Sequence, residues 1–290
     1  MSWRVVTVSG ISKLDYKMGH LVVRGVETKR IHLSEIAIVI VENTAVSLTA
    51  YLLSELSKAK IKVIFCDEKR NPASELVSYY GSYDTSDKVR RQMEWTEEAK
   101  VIAWTAIVSE KIFRQAKVLE KVGCFEEAQQ LLSYLEELEL GDVTNREGHA
   151  AKVYFNSLFG KEHSRGADNA VNAALNYGYT ILLSAFNREI VANGYLTQFG
   201  IFHDNGQNPF NLASDFMEPF RCIVDLFVKQ HISDSFGTED KHRVLDIVNA
   251  KLLIDGKSHF LMNAISIYCK SVFVAIEQKN PSAIKFYEPE

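Results

Sequence analysis

Residues that could do chemistry cluster in one short stretch, GIFHDNGQNPFNLASDFMEPFR, between Gly200 and Arg221. His203 precedes a loop that contains glycine and proline. Asp215, Glu218 and Arg221 follow at intervals of three, so on a helix they would share one face. An imidazole that converges on two carboxylates supplies mixed nitrogen and oxygen ligands for a divalent metal ion. The alternative is a helix that begins with acidic residues, which favour the helix dipole, and an unrelated histidine in the loop.

A second stretch, TNREGHAAKVYFNSLFG, covers residues 144–160 and places polar residues at the head of an otherwise apolar helix. Thr144 and Glu147 have the spacing of a capping box, in which the glutamate only caps its own helix. Gly148 costs helix stability relative to alanine but permits the close approach of a ligand. The free N–H groups at a helix start also favour a phosphate. The sequence leaves both interpretations of Glu147 open.

The third stretch, HSRGADNAVNAALNYGYTILL, covers residues 163–183. Arg165 precedes a predicted helix on which Asn169, Asn172 and Asn176 form one polar stripe among alanines and leucines. Such a stripe on an apolar helix usually pairs with another buried polar group. Structural pairing and a contribution to a functional site are therefore both open interpretations.

Composition limits the possible classes of protein. The 290 residues are 47% hydrophobic and 24% charged, which is typical of a packed globular protein. We expect no signal peptide and no membrane span, because the start lacks a basic and apolar leader and no apolar run is long enough. The four cysteines form no CxxC pair, which favours a reduced, cytoplasmic compartment over structural zinc. The usual motifs of P-loop nucleotide hydrolases, α/β-hydrolases and zincin proteases are absent.

The charge balance predicts that any contact with nucleic acid is local. The formal net charge is −4, which does not indicate a general nucleic-acid binder. DNA binding would therefore depend on basic patches, and Arg90 and Arg91 in SDKVRRQMEW are candidates together with Arg165. A solvated helix face is the alternative interpretation of that basic run.

The elements that would position these residues change character near Asp84. Before it lie short β-branched or aromatic runs typical of strands, WRVVTV, KLDYK, HLVVRG, KRIHL, EIAIVIVE and KVIFCD, and one predicted helix at 46–60. After it the period is helical, with segments predicted at 86–122, 125–140, 145–159, 168–194, 214–232, 239–254 and 258–279. The predicted fold class is α+β. A β-sandwich-like domain with one helix, residues 1–84, precedes a larger all-α domain, residues 85–290.

Three segments taken together resemble one family. NREGHAAKVYFNSLFG, NAALNYGYTILL and HDNGQNPFNLASDFMEPFR are similar to signature segments of the CRISPR-associated spacer-acquisition integrase, the DNA-capturing subunit of bacterial adaptive immunity. The chain length, the β-rich start and the long helical remainder also match, so the resemblance covers essentially the whole chain. The sequence looks most similar to the subtype that accompanies a single large RNA-guided effector nuclease.

The resemblance implies a catalytic metal site in the helical domain, built from a glutamate, a histidine and a second acid. These roles fall on Glu147, His203 and Glu218. Many members carry aspartate at the position of Glu218, and the longer side chain should reach the same ion from a slightly retracted backbone. Asp215 matches a supporting acidic position, and Arg221 matches a basic position beside the site. The implied cofactor is Mg²⁺ or Mn²⁺, and manganese suits mixed ligands better.

The resemblance also implies the reaction and the partners. The 3′-hydroxyl of a captured double-stranded DNA fragment would attack a phosphodiester of the CRISPR repeat, and water in its place would make the same site a nuclease. A homodimer would form through the β-rich domain, where EIAIVIVE shows little charge protection. A small ferredoxin-like partner subunit would complete a hetero-hexameric complex. Asn172 joins the arginines as a DNA-binding candidate, whereas the roles of Asn176 and Tyr177 stay unassigned.

Two alternatives remain at this point. One is a non-catalytic scaffold that organises DNA, in which Glu147 is only a cap and Asp215 and Glu218 lie on a solvated face. The other is a stand-alone metal-dependent DNA nuclease without integration partners. Convergence of Glu147, His203 and Glu218 in space would argue against the scaffold.

Overall fold

Two four-stranded sheets form the N-terminal part of the chain in the computed structural model, which describes residues 4–78 and 82–288. The strands are β1 (Arg4–Val8), β2 (Lys13–Lys17), β3 (His20–Arg24), β4 (Thr28–His32), β5 (Ile36–Val41), β6 (Ser47–Leu48), β7 (Lys62–Cys66) and β8 (Pro72–Leu76). The sheet orders are β1-β5-β7-β8 and β4-β3-β2-β6. Helix α1 (Ala50–Lys58) begins after Thr49, whose hydroxyl accepts the N–H of Leu52. The predicted strands and the single helix are confirmed.

Strand β5 lies inside the first sheet, between the parallel strands β1 and β7, and all its residues are buried. Because successive side chains point to opposite faces, Val39 and Val41 join the core between the two sheets. Ile38 and Ile40 join a second core that is shared with the helices. Coverage of both faces explains why this run is continuously apolar. The unprotected strand that the sequence suggested is therefore an inner strand, and it offers no edge to a partner.

The rest of the chain is mainly helical, and its longest helix is central to it. The helices are α2 (Thr85–Met93), α3 (Glu97–Lys121), α4 (Phe125–Glu136), α5 (Arg146–Phe159), α6 (Ala170–Ala192), α7 (Asn211–Phe216), α8 (Arg221–His231), α9 (Thr238–Leu245) and α10 (Leu261–Gln278). Helix α3 packs against α4, α5, α8 and α10, and α6 packs against β7 and β8. Within the described residues, none of these helices has the length and apolar character that a bilayer span requires.

The prediction of an all-α second part is wrong in one place. Strands β9 (Lys251–Ile254), β10 (Lys257–Phe260) and β11 (Tyr287–Glu288) form a sheet of order β10-β9-β11. Asp255 and Gly256 join β9 to β10 with positive φ angles of 54° and 70°. Positive φ at both central residues is typical of a two-residue hairpin turn, and Asp-Gly favours it. The Asp-Gly pair in the sequence therefore indicates this hairpin, but the helical spacing of the apolar residues around it favoured a helix.

The predicted helix at 214–232 is also interrupted. A single 3₁₀ turn, Glu218–Phe220, separates α7 from α8. Pro219 lies in this turn, where its missing N–H and its ring prevent a continuous helix. The division near Asp84 stays a prediction, although the first sheet shares a core with the helices.

We predict that the sheets and the helices unfold together because of this shared core. Val63→Ala alters only the core between the sheets, whereas Trp95 and Trp104 lie in the helical part. In a Trp3→Phe background, Val63→Ala should lower the free energy of unfolding by roughly 1–3 kcal/mol. Urea denaturation followed by tryptophan fluorescence measures the change. The prediction would be contradicted if Val63→Ala lowered the urea midpoint of the circular dichroism transition but left the midpoint of the tryptophan fluorescence transition unchanged.

Candidate active site

Lys111 joins two acidic residues that are distant in the sequence. Its Nζ lies 2.5 Å from Glu147 Oε1 and 2.5 Å from Glu218 Oε2. Glu147 comes from the first turn of α5, Glu218 from the 3₁₀ turn before α8, and Lys111 from the middle of α3. The contact with Glu218 Oε2 is an ion pair without hydrogen-bond geometry, so no described donor is directed at this buried oxygen. The structure therefore places one cation between two carboxylates.

The start of α5 leaves the Glu147 carboxylate free of any capping role. The N-cap residue is Asn145, with a left-handed backbone of φ 55°, and not Thr144. The Asp142 carboxylate accepts the N–H groups of Arg146 at 2.6 Å and of Glu147 at 3.0 Å. Because Asp142 and Asn145 satisfy the helix start, the interpretation of Glu147 as a cap in a Thr144 capping box is wrong.

Glu218 is fully charged inside the protein. Burial by itself would raise its pKa, but the charges of Arg221 and Lys111 outweigh burial and lower the pKa to about 2. Arg221 Nε donates to Glu218 Oε1 at 2.9 Å, and its guanidinium lies 4.7 Å from the ring centre of Tyr179. Burial also opposes the charge of Lys111, yet the two carboxylates raise the pKa of this ammonium. Two cations thus hold a buried carboxylate ionised.

Asp215 holds the loop that carries His203. This fully buried carboxylate accepts the backbone N–H groups of Ile201, Phe202 and His203 at 2.7 to 3.1 Å. It also lies 2.5 Å from His203 Nδ1. A Cβ at Gly200 would approach Asp215 Oδ2 to 2.6 Å and the His203 carbonyl oxygen to 2.3 Å, so only glycine fits there. Asp215 therefore orients the histidine, and its role in supporting a metal site stays a prediction.

The His203 ring lies against α3, beside an aromatic stack. Trp104 stacks on Phe202 with ring centres 4.2 Å apart and meets the His203 ring edge-on at 5.9 Å. The hydrogen bond to Asp215 raises the pKa of His203, against the effect of burial. The negative charges of Glu218 and Glu147 raise it further, so both lie within electrostatic range of the imidazole. No hydrogen bond of the described residues uses its Nε2.

The residue types fit a divalent metal ion. Glu147 and Glu218 already share one cation position, and His203 presents a nitrogen that Asp215 orients through the opposite ring atom, as is common for metal-binding histidines. Among the described residues, no three His, Cys, Asp or Glu side chains surround one point closely enough to hold a metal ion. Binding of one ion by Glu147, His203 and Glu218 would therefore require their side chains to move closer together.

A polar cavity of about 250 Å³ adjoins this cluster. It is lined by Lys111, Gln115, Phe155, Arg165, Tyr179, Glu218, Arg221, Cys222 and Asp225. Asp225 is buried and accepts the hydroxyl groups of Tyr154 and Tyr179. Burial raises the pKa of Asp225 to about 6, although both hydroxyl groups oppose the rise. Gln115 Oε1 faces no hydrogen-bond donor among the described residues. The cavity thus offers two buried acceptors beside Lys111.

The predicted polar stripe on α6 serves structural pairing. Arg165 donates to Asn172 at 2.7 Å and to Asn176 at 2.8 Å. The Asn172 amide also donates to the carbonyl groups of Ser164 and Ala167. Because Asn172 is buried and its amide is fully used, its position does not support the predicted direct contact with DNA. Its side chain orients Arg165 instead.

The basic residues of α2 lie on the surface. The side chains of Arg90 and Arg91 are 76% and 51% exposed, so both are accessible to a ligand. Arg90 pairs with Asp87 three residues earlier, and Arg91 lies 3.8 Å from Glu277. Exposed pairs of this kind are weak and open readily.

Sequence reasoning missed Lys111, Asp142 and Asp225. Lys111 had a usable signal, since it shares a face of α3 with the buried residues Ile107 and Val108. A lysine on an apolar face needs a buried anion as partner. The sequence gives no such signal for Asp142 and Asp225. Asp142 binds backbone N–H groups and Asp225 binds tyrosine hydroxyl groups, and only the folded structure brings these partners near.

We predict that Asp215→Asn lowers the pKa of His203 towards its ordinary value of about 6.5. Because the pKa of His203 is raised in the folded protein, its protonation stabilises the fold. This stabilisation is complete below the pKa of the unfolded state and is lost as the pH rises through the pKa of the folded state. The stability difference between the wild type and Asp215→Asn should therefore be largest at acidic pH. An NMR titration of metal-free protein measures the pKa, with Asp204→Asn as a control for charge. An equal His203 pKa in the wild type and Asp215→Asn would refute the assignment.

Comparison with known proteins shows the family of this chain. A family model described as CRISPR associated protein Cas1 matches residues 6–261. The chain is 32% identical to the CRISPR-associated endonuclease Cas1 of Neisseria meningitidis serogroup C, over 99% of this chain and 97% of that protein. A casposase bound to integration product has a similar fold, with TM-score 0.75 and 17% identity over 96% of this chain and 91% of that chain.

A second solved structure, a Cas6-RT-Cas1–Cas2 complex, is similar over 97% of this chain and 36% of that chain, with TM-score 0.71 and 19% identity. At these identities the structures show the fold alone. The family model covers most of the sequence, and the Neisseria relative aligns over nearly its full length. The chain therefore belongs to the Cas1 family of CRISPR-associated proteins, as its three sequence segments predicted.

Proposed function

We propose that this protein is a divalent-metal-dependent DNA endonuclease and integrase that inserts captured DNA fragments into a CRISPR repeat array. The observation that carries the proposal is the shared cation position of Glu147 and Glu218, which Lys111 Nζ occupies at 2.5 Å from each carboxylate. The charges of both glutamates also raise the pKa of His203, which Asp215 orients. Three elements that are separate in the sequence bring these charges to one point. A site for a metal and a phosphate would account for this concentration of charge.

In this proposal Glu147, His203 and Glu218 are the metal ligands. A bound Mn²⁺ or Mg²⁺ would neutralise charge on the phosphodiester and stabilise the leaving oxygen. Asp215 keeps the imidazole in the orientation and tautomer that leave Nε2 for the ion. Arg221 holds Glu218 in place through a hydrogen bond and an ion pair. The low pKa of Glu218 keeps it an anion, and so a ligand, throughout the neutral range.

The proposed reaction is a transesterification. The 3′-hydroxyl oxygen of the captured fragment loses its proton and forms a bond to phosphorus at the repeat boundary. The existing bond from this phosphorus to a 3′ oxygen breaks, and the leaving 3′ oxygen takes up a proton, so no net proton is gained or lost. No covalent enzyme intermediate and no ATP are required, since one phosphodiester replaces another. With water as the attacking group the same site would cut DNA.

The geometry supports this proposal better than the two alternatives. A non-catalytic scaffold would need Glu147 as a helix cap and Glu218 on a solvated face, but Asp142 and Asn145 provide the cap and Glu218 is buried. A stand-alone nuclease would use the same residues, and a requirement for partners separates it from an integrase.

We further propose the assembly that the family resemblance implies. Large apolar side chains of the N-terminal part, Ile11, Met18, Val26 and Tyr51, are exposed and are candidates for a homodimer surface. The similar Cas6-RT-Cas1–Cas2 structure contains Cas2 by its name, which supports a Cas2 partner for this chain. The small ferredoxin-like fold of the partner and the hetero-hexameric complex are what the family resemblance implies. The cytoplasmic location and the association with a single large effector nuclease also belong to this proposal.

The proposed metal site predicts that His203→Ala and Glu147→Gln abolish strand joining but keep DNA binding. Loss of one of three ligands should empty the site, whereas affinity for DNA comes from contacts with many phosphates. His203→Ala should cost only about 1 kcal/mol of stability, because Asp215 keeps its three backbone donors. The assay mixes protein, partner, a short duplex and supercoiled repeat plasmid in Mn²⁺.

Glu137→Gln is the matched control, since it removes one carboxylate of the same type from an exposed pair with Arg146. This variant should join DNA at the wild-type rate. Joining by His203→Ala at the wild-type rate would show that the metal site is wrong.

A second prediction concerns the proposed DNA-contacting residues Arg90 and Arg91. Each phosphate contact contributes roughly 0.9 to the slope of log affinity against log salt. The double variant Arg90→Gln/Arg91→Gln should therefore weaken binding at low salt and reduce that slope by about 1 to 2. The double lysine variant keeps both charges and should retain the slope. Equal slopes for the glutamine variant and the wild type would remove α2 from the DNA surface.

A further inference from the structure

Lys111 is the feature of the site that the proposed reaction does not use. Its ammonium is buried between the carboxylates, and the side chains of Lys111, Glu147 and Glu218 are only 11%, 22% and 4% exposed. Two carboxylates this close repel each other strongly at low solvent exposure. An ammonium between them removes that repulsion. Lys111 therefore stabilises the arrangement in which Glu147 and Glu218 face one point.

We propose that Lys111 is an internal placeholder for the divalent ion. It occupies the position between Glu147 and Glu218 in the metal-free protein and gives it up when the ion binds. This inference rests on the proposed metal site. Its basis is that Lys111 Nζ already lies between the carboxylates of Glu147 and Glu218, where an ion held by both residues would also lie. Two like charges cannot share such a position without strong repulsion.

The adjoining cavity provides a place for the displaced ammonium. Lys111 lines this space of about 250 Å³ together with Gln115 and Asp225. Gln115 Oε1 is buried, has no described hydrogen-bond donor, and lies one helical turn after Lys111 on α3. The Asp225 carboxylate is a second acceptor in the same cavity. A lysine that leaves the carboxylates would thus find two acceptors in this cavity.

Of the two cations on Glu218, Lys111 is the one suited to move. Arg221 is fixed by its hydrogen bond to Glu218 Oε1 and by its position over the Tyr179 ring. The guanidinium is planar and is held by this geometry, whereas lysine carries a point charge on a flexible stem. Arg221 therefore remains with Glu218, and the competition with the ion falls on Lys111.

The test compares Mn²⁺ binding by the wild type and Lys111→Met, without DNA, by calorimetry. Methionine keeps a flexible apolar stem and removes the competing charge. We expect Lys111→Met to bind Mn²⁺ on the order of tenfold more tightly, a difference of about 1.4 kcal/mol. Its metal-free form should melt at a lower temperature than the wild type, and Mn²⁺ should raise its melting temperature by more. Lys117→Met on the same helix, paired with Glu120, is the matched control and should bind like the wild type.

Equal or weaker Mn²⁺ binding by Lys111→Met would overturn the placeholder role. If the variant folds only with Mn²⁺ present, chelator competition from the loaded protein gives the same comparison, and tenfold more chelator should be needed for release. Glu147→Gln separates this inference from the proposed function. If Glu147→Gln binds Mn²⁺ as the wild type does, the metal site itself is wrong. If Glu147→Gln loses Mn²⁺ binding while Lys111→Met binds Mn²⁺ with the affinity of the wild type, only the placeholder role is wrong.

Discussion

The need to hold two carboxylates side by side inside a helical core governs the arrangement of this half of the molecule. Charges removed from water are tolerated only when opposite charges and hydrogen bonds compensate them. Lys111 on α3 compensates both acids, and Arg221 at the start of α8 compensates Glu218 a second time. The central helix thus joins α5 and α8 through charge as well as through apolar packing. A divalent cation would suit the position between the two carboxylates because it could replace the Lys111 ammonium, which carries a single positive charge.

Two further carboxylates fix the backbone around this charge cluster. Asp142 binds the first N–H groups of α5, and Asp215 binds three N–H groups of the loop before α7. These hydrogen bonds set the backbone directions at Glu147 and His203. Side chains that are held in this way lose little entropy when they bind an ion. The site is therefore prepared by residues that do not themselves belong to its ligand set.

The sequence predicted the elements well where periodicity was strong, as in the N-terminal strands and the long helix α6. The single helix predicted at 86–122 is wrong, because the structure divides it into α2 and α3 between Glu94 and Thr96. The sequence also failed at local breaks, because the Asp255–Gly256 turn and Pro219 interrupt patterns that otherwise continue. The candidate ligands came from motif resemblance, and spacing alone left Glu147 open between cap and ligand. Lys111 was missed because its partners lie far along the chain, and only the packing of three helices brings the charges together.

The most direct test of the account is a crystal structure of the protein soaked in Mn²⁺, with anomalous diffraction recorded at the manganese absorption edge. The account predicts one strong peak bonded to Glu147, Glu218 and Nε2 of His203, with Lys111 Nζ withdrawn towards Gln115. A peak bonded to other residues would contradict it. The absence of any peak, together with a Lys111 that still bridges the two carboxylates, would also contradict it.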